Sequence, residues 1–171
     1  MNTKQFDVFI DIENTIIESL DCQQPLIQNI VNIKKFFKTI DVRRVSLFTW
    51  GWKTYKEIEG QLVDQLFDLL EVEYNKRGDV FVKSDSVEEA IKVGWLHESD
   101  KARALYPGMM SEFGISKLSC FVQMQADKND VNSILIDDLV EENNDNVVQY
   151  MTHCICLFNP IKLNEKSVNK L

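Results

Sequence analysis

Short apolar runs and stretches of helix-spaced apolar residues alternate along this chain. Phe6–Ile10 reads as a first strand. Leu26–Thr39 places Ile27, Ile30, Val31, Ile33, Phe36 and Phe37 at helical spacing, with Pro25 near its first turn. Val42–Thr49, rich in β-branched and aromatic residues, predicts a second strand. Lys53–Tyr74 predicts a long amphipathic helix carrying Ile58, Leu62, Leu66, Leu69 and Leu70 on one side. A short strand over Val80–Lys83 and a helix over Ser86–Trp95 follow. Leu96–Phe113 fits no single period and contains Pro107-Gly108. Lys117–Val122 and Ser133–Ile136 predict two further strands, Asn144–Tyr150 a helix, and His153–Phe158 a last strand. Such alternation predicts an α/β fold: one Rossmann-like domain over residues 1–171, with a mainly parallel sheet and helices on both faces. The 96–113 stretch is the place for a small insertion. No internal repeat or low-complexity linker interrupts the pattern.

Composition narrows the function classes. A chain of 171 residues with 44% hydrophobic content suffices for one proper core. No apolar run approaches the roughly 18 residues of a membrane span. The N-terminus lacks a signal peptide's basic and apolar regions, so a cytoplasmic location without membrane contact is expected. The net charge of −8 argues against a broad electrostatic grip on nucleic acid. It leaves room for reading a nucleotide or a short nucleic-acid end, because a bound cation inverts the local field. Cys22, Cys120, Cys154 and Cys156 form no CxxC pair and read as buried free thiols.

The candidate chemistry lies where two of the strands stop. The first run ends in Asp11-Ile12-Glu13-Asn14-Thr15, and Ser133–Ile136 ends in Asp137-Asp138. In open α/β sheets ligands bind outside the carboxyl ends of strands. Two apolar strands that both finish in acids can gather those acids around one cation. Strand-end acids that merely cap the next turn are the plainer alternative.

Four segments, taken in order, resemble the motifs of the haloacid dehalogenase superfamily of phosphohydrolases. They are Asp11-Ile12-Glu13-Asn14-Thr15, the apolar strand ending in Thr49, the lysine of Asp127-Lys128, and Ile134-Leu135-Ile136-Asp137-Asp138. The resemblance implies a Mg²⁺-dependent phosphatase in which Asp11 forms an aspartyl-phosphate. Asp11, Asp137 and the Glu13 carbonyl would hold the ion, with Asp138 orienting a metal-bound water. Thr49 and Lys128 would hold phosphoryl oxygens, with Lys117 or Lys83 as alternative lysines. Glu13 departs from the family's second aspartate, whose acid–base work a glutamate can perform with longer reach. The resemblance is to members without a large cap, because the interval from Asp11 to Thr49 holds a turn and one helix only. Their open sites accept exposed phosphates on a nucleotide, a nucleic-acid end or a phosphoprotein.

Two other readings stand beside this one. An inactive domain of the same fold would bind a phosphate or a partner without turnover. The Asp-x-Glu spacing of Asp11 and Glu13 also resembles the first motif of DEDD-type exonucleases, where both acids would ligate metal. That family requires a further aspartate in a late helix, and the tail from Tyr150 to Leu171 contains none.

Overall fold

The computed structural model describes residues 4–128, 130–141, 146–149, 152–164, 167 and 171. Among these residues six strands form one sheet: β1 (Gln5–Ile10), β2 (Asp41–Phe48), β3 (Arg77–Phe81), β4 (Asn132–Ile136), β5 (Asn146–Gln149) and β6 (Cys154–Phe158). Their spatial order is β3-β2-β1-β4-β6-β5. The first five in that order run parallel, and β5 pairs antiparallel with β6 at the edge. The helices are α1 (Ile27–Phe37), α2 (Gly60–Leu69), α3 (Lys83–Lys92), α4 (Lys101–Ala104), α5 (Met109–Glu112) and α6 (Lys117–Ala126). The expected Rossmann-like α/β architecture is therefore present. Among the described residues no helix is long and apolar enough to cross a membrane.

Strand alternation sorts the core into two layers. Val8, Ile10, Leu47, Ile134, Ile136 and Cys156 face α1 and α2, meeting Ile30, Ile33, Phe36, Leu62 and Leu66. Phe9, Phe48, Leu135, Ile155 and Leu157 face the other way, onto Phe121 of α6. Period-2 alternation with both sides apolar is what a sheet covered on both faces requires. Cys120, Cys154 and Cys156 are buried free thiols, whereas Cys22 is exposed, contrary to expectation.

Five expected elements differ from those observed. The short strand expected over Val80–Lys83 spans Arg77–Phe81, and Lys83 opens α3. Lys117–Val122 is not a strand but the first part of α6. The Ser116 hydroxyl accepts from the Ser119 N–H at 3.0 Å, and Ser119 Oγ accepts from the Ser116 N–H at 3.2 Å, a reciprocal cap. A short apolar run is compatible with either element, and the crossover from β3 to parallel β4 demands the helix. Residues 146–149 form edge strand β5 instead of a helix; residues 144, 145 and 150 lie outside those described. The long helix expected from Lys53 starts only at Gly60 and ends before Glu71, which adopts a left-handed φ of 55°. The helix expected from Ser86 begins at Lys83, where the Asp85 carboxylate accepts from the Val82 N–H at 2.7 Å.

Residues 96–113 form the short helices α4 and α5. Leu96, Ala104 and Met110 pack on Val87 and Ala90 of α3 and Cys120 of α6. The buried Lys83 ammonium ties this stretch down by donating to the Leu105 and Tyr106 carbonyls, at 3.2 and 2.6 Å.

Candidate functional site

Strand register brings the first two acids together. Ile10 of β1 pairs with Ile136 of β4, so Asp11 and Asp137 are the next residues on neighbouring parallel strands. Adjacent strands lie about 4.8 Å apart. The chain leaves β1 towards β2 and β3 on one side and returns to β4 on the other. The acids therefore stand where the strand order reverses, the crevice in which doubly wound sheets bind ligands. Ladder-like bonds hold both tips: Asp11 N–H donates to the Ile136 carbonyl at 2.9 Å, and Asp137 N–H to the Phe158 carbonyl at 3.1 Å.

The loops behind the tips are cross-tied. Asn14, with a left-handed φ of 57°, turns the chain so that Thr15 comes back over Asp11. Thr15 Oγ1 lies 3.5 Å from Asp11 Oδ2 and accepts from the Asp138 N–H at 3.2 Å. Asp137 Oδ1 accepts from the Leu139 N–H at 2.9 Å, closing an Asx turn. Ligand oxygens of Asp11, Asp137 and Asp138 all fall within 4.8 Å of one another.

The counter-charge comes from α6. Asp11 and Asp137 follow the alternation of Phe9 and Leu135, whose face α6 covers. Helix α6 runs back along the sheet, so its first residue, Lys117, starts at the level of the acids. The Lys117 ammonium contacts Asp11 Oδ1 and lies 2.8 Å from Asp137 Oδ2. All three groups are buried. Asp137 Oδ2 accepts no well-formed hydrogen bond despite that ion-pair contact. A buried, incompletely satisfied carboxylate oxygen beside two further acids fits a bound cation, and an all-oxygen donor set suits a hard divalent ion.

Electrostatics at the cluster follow from this crowding. Burial pushes the Asp11 carboxyl up from 3.8 to about 7; Lys117 opposes the rise, and Asp137 and Asp138 add to it. Asp138 is raised for the same two reasons, burial first and Asp137 second. Burial pulls the Lys117 ammonium down, but Asp11 and Asp137 outweigh it and leave its pKa above the ordinary lysine value.

A stability prediction follows for the metal-free protein. Between about pH 4 and pH 7 the folded chain holds a proton on Asp11 that the unfolded chain has released. Stability contributed by this group is complete below that window and is lost as pH rises through it. Thermal melts of chelator-treated protein should give a higher midpoint at pH 5 than at pH 8, with Asp138 acting in the same direction. The reverse order would contradict this electrostatic picture.

The other expected residues are placed differently. Thr49 directly follows β2, the strand next to β1, and is buried, and its Oγ1 accepts from the Gly51 N–H at 2.9 Å. Glu13 lies outside the three-acid cluster among the described residues, and its Oε1 accepts from the Leu20 N–H at 3.3 Å. Lys128 does not join the acids. It follows the far end of α6, its ammonium 5.4 Å from the Phe9 ring centre, and the charges acting on it are Asp7, Arg43 and Asp79. Lys117, one of the alternative lysines, is the one that meets the acids. An apolar run after Lys117 is compatible with a strand, and the Ser116/Ser119 capping pair is the sequence signal that Lys117 opens a helix. Thr15, whose place in the first motif gives no sign of it, links the two acidic loops.

The chain was compared with protein-family models, with curated proteins and with solved structures, and none of the three comparisons found a match.

Proposed function

We propose that this protein is a Mg²⁺-dependent phosphohydrolase that works through an aspartyl-phosphate on Asp11, in the manner of the haloacid dehalogenase superfamily. The observation that carries the reading is the gathering of Asp11, Asp137 and Asp138 at the reversal of strand order, with the Lys117 ammonium paired to the first two. Asp11, Asp137 and the Glu13 carbonyl would hold Mg²⁺, which when bound supplies the positive charge that keeps Asp11 ionised and draws in phosphoryl oxygens.

The chain's own groups divide the remaining work. An Asp11 carboxylate oxygen attacks phosphorus, and the bond to the leaving-group oxygen breaks. Glu13 donates the proton that this oxygen needs. Water then attacks the acyl-phosphate and gives its proton to Glu13, releasing phosphate and restoring Asp11. Lys117 offsets charge on the transferring phosphoryl group, and the Thr49 hydroxyl, already accepting from Gly51, is free to donate to it.

Two features favour this over a two-metal nuclease. Such a site would direct both Asp11 and Glu13 onto metal, whereas the Glu13 carboxylate is engaged by the Leu20 N–H. The acids that join Asp11 are consecutive residues at one strand end, Asp137 and Asp138, rather than an aspartate from a late helix. The test is phosphate release from nitrophenyl phosphate, with Mg²⁺ and with chelator. Hydrolysis that persists in chelator, or that survives Asp11→Asn, would remove the proposal. Stable phosphate binding with no turnover on any substrate would favour the non-catalytic reading.

Glu13 yields a graded prediction. Glu13→Gln should keep Mg²⁺ binding but slow turnover of an alkyl phosphate by about 10²–10⁴-fold. Nitrophenolate leaves without protonation, so the loss on nitrophenyl phosphate should be smaller in that first step. Equal rates for parent and variant on both substrates would exclude an acid–base role.

A further inference from the structure

Gly51 lies two residues beyond Thr49, in the loop that follows β2. A Cβ built there would fall inside the van der Waals envelope of Glu13 Oε2, 3.0 Å from Glu13 Cδ and 2.7 Å from Leu20 Cδ1. The other carboxylate oxygen, Glu13 Oε1, is held by the Leu20 N–H at 3.3 Å. The Gly51 N–H is itself fixed on Thr49 Oγ1 at 2.9 Å. One oxygen of Glu13 is thus bonded to the backbone of its own loop, and the other fills the space that a side chain at position 51 would take.

Backbone strain does not explain this glycine. The glycines with positive φ are Gly94, Gly108 and Gly114; Gly51 is not among them. Its φ alone therefore gives no reason to exclude alanine, and the cost of a methyl group at this position is set by contact. An aspartate at position 13 would stop about 1.5 Å short, one carbon–carbon bond, and would leave this space vacant.

We propose that Gly51 is the positioning residue for Glu13: the missing Cβ forms the seat of the longer acid, and the two residues act as one unit. The inference rests on the reading of Glu13 as the acid–base group. It gives that reading a structural form, a pocket rebuilt around glutamate in place of a site weakened by drift.

A double-mutant cycle tests it, using the full chain as parent, Gly51→Ala, Glu13→Asp and the double variant. Thermal melts of the metal-free proteins read the seat without any turnover. A methyl group at position 51 meets only the ends of flexible side chains, so Gly51→Ala should lower the midpoint slightly with Glu13 present, by swinging the carboxylate off the Leu20 N–H. In the Glu13→Asp background it should cost less than half as much, because the shorter acid does not reach the new methyl group. Leu20 Cδ1 is crowded in both backgrounds, so the residual loss measures that contact. With Mg²⁺, Gly51→Ala should cut kcat on an alkyl phosphate by about 10²-fold in the parent background and only a few-fold in the Glu13→Asp background. On nitrophenyl phosphate the loss should be smaller, which a purely structural role would not produce. Equal losses in both backgrounds, in melts and in kcat, would overturn the proposal. A parent with no phosphatase activity would remove the catalytic role, and the melting cycle would still decide whether the seat exists.

Discussion

Asp11→Asn is expected to abolish Mg²⁺-dependent phosphate release while leaving the fold intact. The amide is a poor nucleophile and a poor cation ligand, so both contributions of Asp11 disappear together. A loss on the order of 10⁴-fold or more is expected, since removing a nucleophile outright leaves only residual binding and electrostatic effects. Stability should move the other way in the metal-free protein. Asp11 is buried among Asp137, Asp138 and Lys117, with its carboxyl pushed up to about 7. A neutral side chain removes that strain, so the melting midpoint at pH 8 should hold or rise. The two measurements together separate catalysis from folding. Retained turnover would move the nucleophile elsewhere, and a collapsed melting midpoint would mean that the carboxylate is needed for packing.

Lys117→Met should be the most damaging single change to stability. It leaves the Asp11 and Asp137 carboxylates buried without their counter-ion, and breaking a buried pair from one side costs about 3–5 kcal/mol. Protonation offers an escape, so the loss should be largest at pH 8 and smaller at pH 5. A divalent cation should recover part of it, because the ion replaces the missing positive charge among the three acids. Chemical denaturation with and without Mg²⁺ would read all three effects. Lys128→Met is the control. That ammonium lies over the Phe9 and Phe81 rings, away from the acids, and its loss should leave Mg²⁺-dependent turnover near the parent value. A large kinetic effect at Lys128 with none at Lys117 would reverse the assignment of the lysine.

The difference between these lysines shows where sequence reading stops. Both follow plausible signals: Lys128 stands beside an acid and shortly before the last acidic strand, and Lys117 opens an apolar run. Distance along the chain could not separate them. Helix α6 lies antiparallel to the strands and carries its first residue to the tips and its last residue away from them. The apolar run Lys117–Val122 suits a strand as well as a helix, and only the helix carries Lys117 to the acids.

Local pattern determined much of this protein on its own. β6 and the C-terminal parts of β1, β2 and β4 are buried on both faces, and no helical period competes with them at those positions. Asp11, Asp137 and Asp138 stand out because two buried strands end in acids at the same carboxyl edge of the sheet, although turn capping alone accounts for such an acid, as the Asp137–Leu139 Asx turn shows. Their convergence needed the parallel pairing of β1 with β4, a contact between segments more than a hundred residues apart. Tertiary context also made a helix of residues 117–126 and a strand of residues 146–149, since crossover direction and a free sheet edge outweigh weak local preference. The seat of Glu13 was beyond sequence altogether. Gly51 gives no sign in one dimension of the carboxylate that fills its missing side chain, because that contact joins two loops brought together only by the pairing of β1 with β2.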